Sequence, residues 1–409
     1  MAENFVIVGG GLAGTRAAET LRERAFAGTI LLVGQEDEFP YDRPPLSKGV
    51  LLGGDPPESA YLHDEDWYAA KGVEVRRGLS ATSLDLAGRR VGFDDGSAAA
   101  YDRLLIATGS RPRRLPVPGA DLDGVTMLRT LADSRDLLAR LGEQPRVVVV
   151  GAGWIGLEVA AAARQHGCEV TVVEPAPSPL HAVLGPGLGS VFTRLHEEHG
   201  VTFRFGEGVD QVVGDSRAGG VVTSGGGQLP ADLVVVGVGV RPNTELAEGA
   251  GLAVDNGILV DAMMRTSDPR VFAAGDVARW DNPTLGYPVR VEHWATAYDT
   301  GPIAARAMLG EHVDNGVLPF FYSDQYDLGL EYVGHVRSES SADVVVRGDL
   351  GAREFVAFWV ESGRVLAGLA VNVWDTVEPV KALIRSRAHV DRTALGDPAV
   401  PLEELAGRV

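Results

Sequence analysis

Two sets of three glycines carry the most telling chemistry in this sequence. Gly9, Gly11 and Gly14 have the spacing Gly-x-Gly-x-x-Gly, and so do Gly151, Gly153 and Gly156. Such a run between a strand and a helix makes a seat for pyrophosphate. The first glycine permits a tight turn, the second lets phosphate approach the backbone, and the third lets the helix pack closely on the strand. Free N–H groups and a partial positive charge at the helix start favour the anion. An acid follows at the end of the next strand in each case, Glu36 and Glu174, where a carboxylate accepts ribose hydroxyls. The chain has 52 glycines, so a single match could be accidental. Two matches, each in the full strand–turn–helix–strand–Glu setting, imply two dinucleotide sites. Glu174 would repel a 2′-phosphate and has no arginine beside it, so the second site suits NADH rather than NADPH.

Elements to position these turns are readable. Phe5 to Val8 is a short apolar run, as a buried parallel strand requires. Helical character follows from Thr15 to Arg24, with Ala17, Ala18 and Leu21 on one face, then a strand from Thr29 to Val33. The same grammar returns with a strand at Arg146 to Val150, an alanine-rich helix at Leu157 to His166, and a strand at Glu169 to Val173. Leu233 to Val240 reads as one further strand. From about Leu318 the character changes: strands at Glu354–Val360 and Val365–Val371, then a helix near Val377–Arg387, suggest a small α+β domain. The expected fold class is α/β, with two Rossmann-like nucleotide-binding domains plus this C-terminal domain. The expected boundaries are 1–110 with 241–317, then 111–240, then 318–409.

Composition narrows the function classes. The 409 residues are 45% hydrophobic and 23% charged, with a net charge of −19. Such acidity argues against nucleic acid, whose phosphates it would repel. No run reaches the roughly 18–20 apolar residues of a membrane span. Met1-Ala-Glu-Asn-Phe5 carries no secretory pattern, so a cytoplasmic location is expected. A single cysteine, Cys168, rules out an internal disulfide framework.

Further motifs carry a family resemblance. Tyr41-Asp-Arg-Pro-Pro-Leu-Ser-Lys48, Leu105-Ile-Ala-Thr-Gly109 and Val271-Phe-Ala-Ala-Gly-Asp276 occur in order around the two glycine turns. Together they resemble the FAD-dependent pyridine nucleotide–disulfide oxidoreductase superfamily, with its glutathione-reductase-like arrangement. Within it, Tyr41 to Lys48, Glu292-His-Trp294 and Ser323-Asp-Gln325 resemble the oxygenase-coupled, NADH-dependent ferredoxin reductases of the putidaredoxin, rhodocoxin and biphenyl dioxygenase systems.

The resemblance implies roles. FAD would sit on Gly9, Gly11 and Gly14, with NADH on Gly151, Gly153 and Gly156. Asp276 would hold the flavin ribitol, Arg43 and Arg129 would contact FAD, and Ala81 would offer its backbone to the adenine. Lys48 would lie near the flavin N5 and pair with Glu158. Trp294 would begin a helix aimed at the flavin O2 edge, with a kink or early break at Pro302. Trp154 takes the place of an aromatic gate, and Tyr322 that of a ring on the nicotinamide side, where the family commonly has tryptophan. Ala13, Thr108, Gly109, Ile155 and Gly239 join the cofactor-binding set. His181 stands where relatives often carry arginine and receives no role. Arg111, Arg113, Arg114 and Arg306 are candidates for docking an acidic partner, against a plain reading as solvated faces.

Disulfide reductases of this superfamily need a cysteine pair after the first βα unit. Pro40 to Leu52 holds none, and Cys168 reads as a packed small residue. Electrons must then leave the flavin directly. NADH delivers two together, and flavin can release them singly. The resemblance names the acceptor as a small [2Fe–2S] ferredoxin serving an oxygenase or cytochrome P450. One cysteine cannot hold that cluster, so it belongs to the partner. Other cysteine-free readings are a rubredoxin or monodehydroascorbate reductase, or an NADH-sensing flavoprotein like apoptosis-inducing factor.

Overall fold

Apolar runs sealed on both faces place the central strands. Phe5 to Val8 are all buried, as are Val147 to Val150. A computed structural model describes residues 3–313 and 315–406. Two compact units emerge. One gathers the residues up to Asp42, Glu58–Arg111 and Arg241–Phe320. The other gathers Arg43–Pro57, Pro112–Val240 and the residues from Phe321 onward.

In the first unit, Asn4–Val8 is the middle of a five-stranded parallel sheet. It lies between Arg103–Ile106 and Thr29–Val33, with Val271–Ala273 and Val73–Arg76 at the edges. In the second unit, Arg146–Val150 is likewise central. It lies between Glu169–Glu174 and Leu233–Val236, with Val201–Phe205 and Val125–Thr126 outside. The turn after each middle strand is built the same way. The Gly9 N–H donates to the Val33 carbonyl and the Gly151 N–H to the Val173 carbonyl, each at 2.8 Å. Both glycines have positive φ, 130° and 100°. A Cβ on Gly9 would overlap the Ala107 carbonyl oxygen, and one on Gly151 would meet the Gly237 carbonyl oxygen. Only glycine satisfies both the backbone and the close approach. The repeat read from sequence is thus a repeat of structure.

Both following helices start earlier than their apolar periodicity suggested. They span Leu12–Glu23 and Trp154–Gln165, so the expected starts at Thr15 and Leu157 were three residues late. Gly11 and Gly153 are the extended N-caps, so each first turn lies inside the glycine motif, where no apolar stripe marks it. The expected strand Leu233 to Val240 is also corrected. It ends at Val236, and Val240–Pro242 is a separate strand. Gly239 turns to φ +91° between them, and the Gly237 backbone lies against Gly156. The chain bends there to clear the glycine-turn helix.

Of the kink or early break expected at Pro302, the break does not occur: Trp294–Met308 runs through it. Gly301 packs on the Ala13 backbone, and a Cβ there would overlap the Ala13 carbonyl. Thr296, Thr300, Ile303 and Ala304 are buried along the same helix. Burial on this scale outweighs the proline penalty, about 3 kcal/mol in a helix interior.

The last part of the second unit is a five-stranded sheet, ordered Phe320–Gln325, Leu328–Gly334, Arg364–Val371, Glu354–Glu361 and Asp343–Asp349. The pairings among the last four strands are antiparallel. Helix Val377–Ser386 buries Val380, Leu383 and Ile384, with Val380 against Gly368 of the sheet. Segment Arg43–Pro57 is fastened within the same unit. Ser134 Oγ donates to the Leu46 carbonyl at 2.8 Å, and His166 Nε2 to the Leu51 carbonyl at 2.9 Å. Among the described residues no helix is long and apolar enough to cross a membrane.

Candidate active site

The two glycine turns present similar seats. Neither helix N-terminus has a side-chain cap or an acid in its first turn. A Cβ built on Gly11 or Gly153 meets no atom of the described residues within 4 Å. Each turn therefore offers uncapped N–H groups and clear space at the glycine that must admit phosphate, which fits a dinucleotide. Beside the first turn, the Tyr41 hydroxyl donates to Glu36. Thr108 and Gly109 are pinned by Asn243. Thr108 Oγ1 donates to the Asn243 carbonyl, Asn243 Nδ2 to the Thr108 carbonyl (both 2.8 Å), and the Asn243 N–H to the Gly109 carbonyl at 2.9 Å.

Beside the second turn, Glu174 bonds inward. It accepts from the Ala152 and Ala176 N–H groups, each at 2.8 Å, and so braces the turn itself. Ile155 is exposed at the helix start, 45% accessible. Trp154 packs on Phe321 and Phe192, with ring centroids 4.7 and 5.9 Å away. The Gly239 carbonyl accepts the Arg113 N–H at 2.9 Å.

Elsewhere in the first unit, Trp294 begins its helix as expected. Its indole N–H donates to Asp42 Oδ1 at 2.8 Å, and its ring stacks on Tyr298. Burial raises the Asp42 carboxyl, and the indole bond partly opposes that. Asp276 lies in the short turn Gly275–Val277, whose Gly275 N–H donates to Thr300 Oγ1. Ala81 opens the strand Ala81–Asp85. In the second unit, the Arg43 guanidinium donates to the Arg129 carbonyl, so these two predicted contacts are brought together.

The centre of the second unit's site is Glu158, 4% exposed on the helix behind the glycine turn. Lys48 Nζ donates to its Oε1 at 2.9 Å, as expected for the predicted pair. Ser47 Oγ donates to Oε2, and Ser323 Oγ donates to Oε1 at 2.6 Å. A buried carboxylate needs such donors, because desolvation is costly without them. Tyr322 is next to Lys48, with Nζ 5.5 Å from the ring centroid.

Sequence reasoning missed Ser47 as a carboxylate partner and Tyr41 as the partner of Glu36, gave Gln325 a place in a motif but no role, and missed Asn243 and His196 altogether. Ser323 and Gln325 had a signal: at period two in a strand they share one face, and both are 1% exposed. His196 had none. The arginines considered as docking candidates are mostly engaged within the protein. Arg111 is paired with Glu245 and Asn243, Arg306 with Glu311, and Arg113 Nε donates to the Val240 carbonyl.

Cys168 is buried and donates weakly to the Leu141 carbonyl at 3.6 Å. Burial raises its thiol above the usual value. Ellman's reagent should therefore find no reactive thiol in the native protein and one after denaturation, and Cys168→Ser should keep its electron-transfer rate.

The Pyridine nucleotide-disulphide oxidoreductase model matches residues 3–301. The chain belongs to that family. A Reductase C-terminal model matches residues 320–406. This family member is 43% identical to the ferredoxin–NAD(+) reductase component of the anthranilate 1,2-dioxygenase system of Burkholderia cepacia, over 98% of this chain and 99% of the relative. It is 39% identical to putidaredoxin reductase of Pseudomonas putida, over 98% of this chain and 96% of that one. The crystal structure of a covalent putidaredoxin reductase–putidaredoxin complex matches with a TM-score of 0.94 at 39% identity, covering 99% of this chain and 98% of the other.

Proposed function

We propose that this member of the family is an NADH-dependent FAD flavoprotein that passes electrons to a [2Fe–2S] ferredoxin serving an oxygenase or cytochrome P450. One observation carries the reading. Where a disulfide reductase would place a cysteine pair, this chain places Ser47 and Lys48 on a buried carboxylate, Glu158. The full-length similarity to ferredoxin reductase components supports it.

FAD is assigned mainly to 1–110 with 241–317 and NADH to 111–240, with 318–409 as the C-terminal α+β interface domain and a cytoplasmic location. Gly9, Gly11, Ala13, Gly14, Glu36, Arg43, Ala81, Thr108, Gly109, Arg129, Asp276 and Trp294 hold FAD. Gly151, Gly153, Trp154, Ile155, Gly156, Glu174 and Gly239 hold NADH. When bound, FAD would supply two-electron acceptance from NADH and one-electron release. The chain's own contribution is placement. Each helix N-terminus neutralises a pyrophosphate. Lys48 presents a fixed ammonium, oriented by Glu158, and Tyr322 flanks it with an aromatic face. No general acid or base is required, so orientation and exclusion of water are the sources of rate.

Cytochrome c reduction driven by NADH, with and without a [2Fe–2S] ferredoxin, tests the reading. At least a tenfold stimulation is expected. Equal rates with and without ferredoxin would overturn the acceptor assignment. Long-lived charge-transfer absorbance with negligible turnover would point instead to an NADH sensor.

A further inference from the structure

Behind the Lys48–Glu158 pair runs a buried polar chain that the proposed reaction does not account for. Ser323, Gln325 and His196 are 1%, 1% and 0% exposed. Ser323 Oγ reaches Glu158 Oε1 at 2.6 Å, Gln325 Nε2 reaches Ser323 Oγ at 3.2 Å, and His196 Nε2 lies 2.9 Å from Gln325 Oε1. His196 Nδ1 has no partner among the described residues. Strand Phe320–Gln325 supplies two links from one face, and the helical stretch that follows a kink at Gly185 and ends at Glu198 supplies the third.

The direction of every bond follows. A buried orphan N–H costs more than a buried orphan lone pair. The unpartnered Nδ1 is therefore the bare nitrogen, and Nε2 carries the proton. Burial pushes the imidazole down to about 4, so the ring is neutral and holds one proton at pH 7. Nε2–H then donates to Gln325 Oε1. That fixes the amide, whose NH₂ must face Ser323. The Ser323 oxygen accepts there, so its own O–H is committed to Glu158. Flipping Gln325 would set two donors against each other at His196 and divert the Ser323 proton from a carboxylate, the stronger acceptor.

We propose that His196, Gln325 and Ser323 are positioning residues: a one-way chain of donors that fixes the Glu158 carboxylate and, through it, the Lys48 ammonium. This rests on the reading that places Lys48 at the reacting ends of the nucleotides. It also gives the Ser323-Asp-Gln325 motif a physical task. The outer residues point inward to orient an acid, while Asp324 between them faces out.

The test is a double-mutant cycle in the flavin-loaded protein. The limiting rate of flavin reduction by NADH is measured for Gln325→Met, Lys48→Met and the pair. Gln325→Met is expected to lower that rate about tenfold, with less than a twofold change in KM for NADH. In the Lys48→Met background it should add no further loss. The same fractional loss in both backgrounds, or none in either, overturns the proposal. If Gln325→Met fails to fold, Ser323→Ala takes its place in the cycle. A second readout does not depend on turnover. In protein with ¹⁵N-labelled histidine, His196 should show the Nε2–H tautomer at pH 7, and its signal should shift in Gln325→Met. An Nδ1–H tautomer overturns the relay. If Lys48→Met leaves the rate unchanged while the tautomer is as expected, the role of Lys48 fails, and with it the relay's bearing on the reaction.

Discussion

Lys48→Met is expected to cost the protein about 3 kcal/mol of stability, because it leaves the buried Glu158 without its cation. The figure is at the lower end of the range for broken buried pairs, since the Lys48 side chain keeps 19% exposure. Ser47 and Ser323 still donate to the carboxylate, which further softens the loss. The same change should slow flavin reduction by NADH at least tenfold, equivalent to about 1.4 kcal/mol of barrier. Stability and rate then separate in the double variant Lys48→Met/Glu158→Met. With both charges gone no buried ion is left unpaired, although Ser47 and Ser323 lose their acceptor, and about half of the lost stability should return. The rate should not recover. Guanidinium unfolding and stopped-flow absorbance check the two halves. Recovery of both together would mean that the pair only holds the fold.

The second large effect distinguishes glycines kept for the fold from glycines kept for a ligand. Gly9→Ala forces a Cβ into the Ala107 carbonyl at a backbone angle that alanine rarely adopts. It should give unstable protein that retains little flavin. Gly11→Ala meets no atom of the described residues within 4 Å and has a φ of −106°, open to any residue. It should fold with nearly native stability yet lose FAD affinity tenfold or more, because the methyl occupies the space phosphate needs. Gly153→Ala should keep its flavin and raise the KM for NADH by a similar factor. Thermal melts, flavin-to-protein absorbance ratios and NADH titrations read each outcome. A Gly11→Ala protein with full FAD affinity would show that the pyrophosphate lies elsewhere.

The parallel sheets and their turns were legible in the sequence because their signals are local. Phe5 to Val8 must be buried on both faces, and a Gly-x-Gly-x-x-Gly run after such a strand has few alternatives. What was less legible depended on contacts far apart in the chain. The helix through Pro302 survives because of its packing on Ala13, almost 300 residues away in sequence. The helix starts at Leu12 and Trp154 were hidden because glycine carries no apolar stripe. The pairing of Lys48 with Glu158 followed from motif position, but Ser47, Gln325 and His196 did not. A histidine in an amphipathic helix looks like any other, and its partner is 129 residues further along the chain. Polar residues in a core are recognisable only once their partners are known.

The sealed thiol of Cys168 has a practical consequence. The protein is its own cysteine-free background for chemical attachment. A single cysteine placed at an exposed site, such as Glu339→Cys, would be the one position that maleimide reagents reach. A spin label or fluorophore there could be compared with others placed one at a time, and distances to a bound electron acceptor triangulated. The docking face could then be mapped without first removing a native residue.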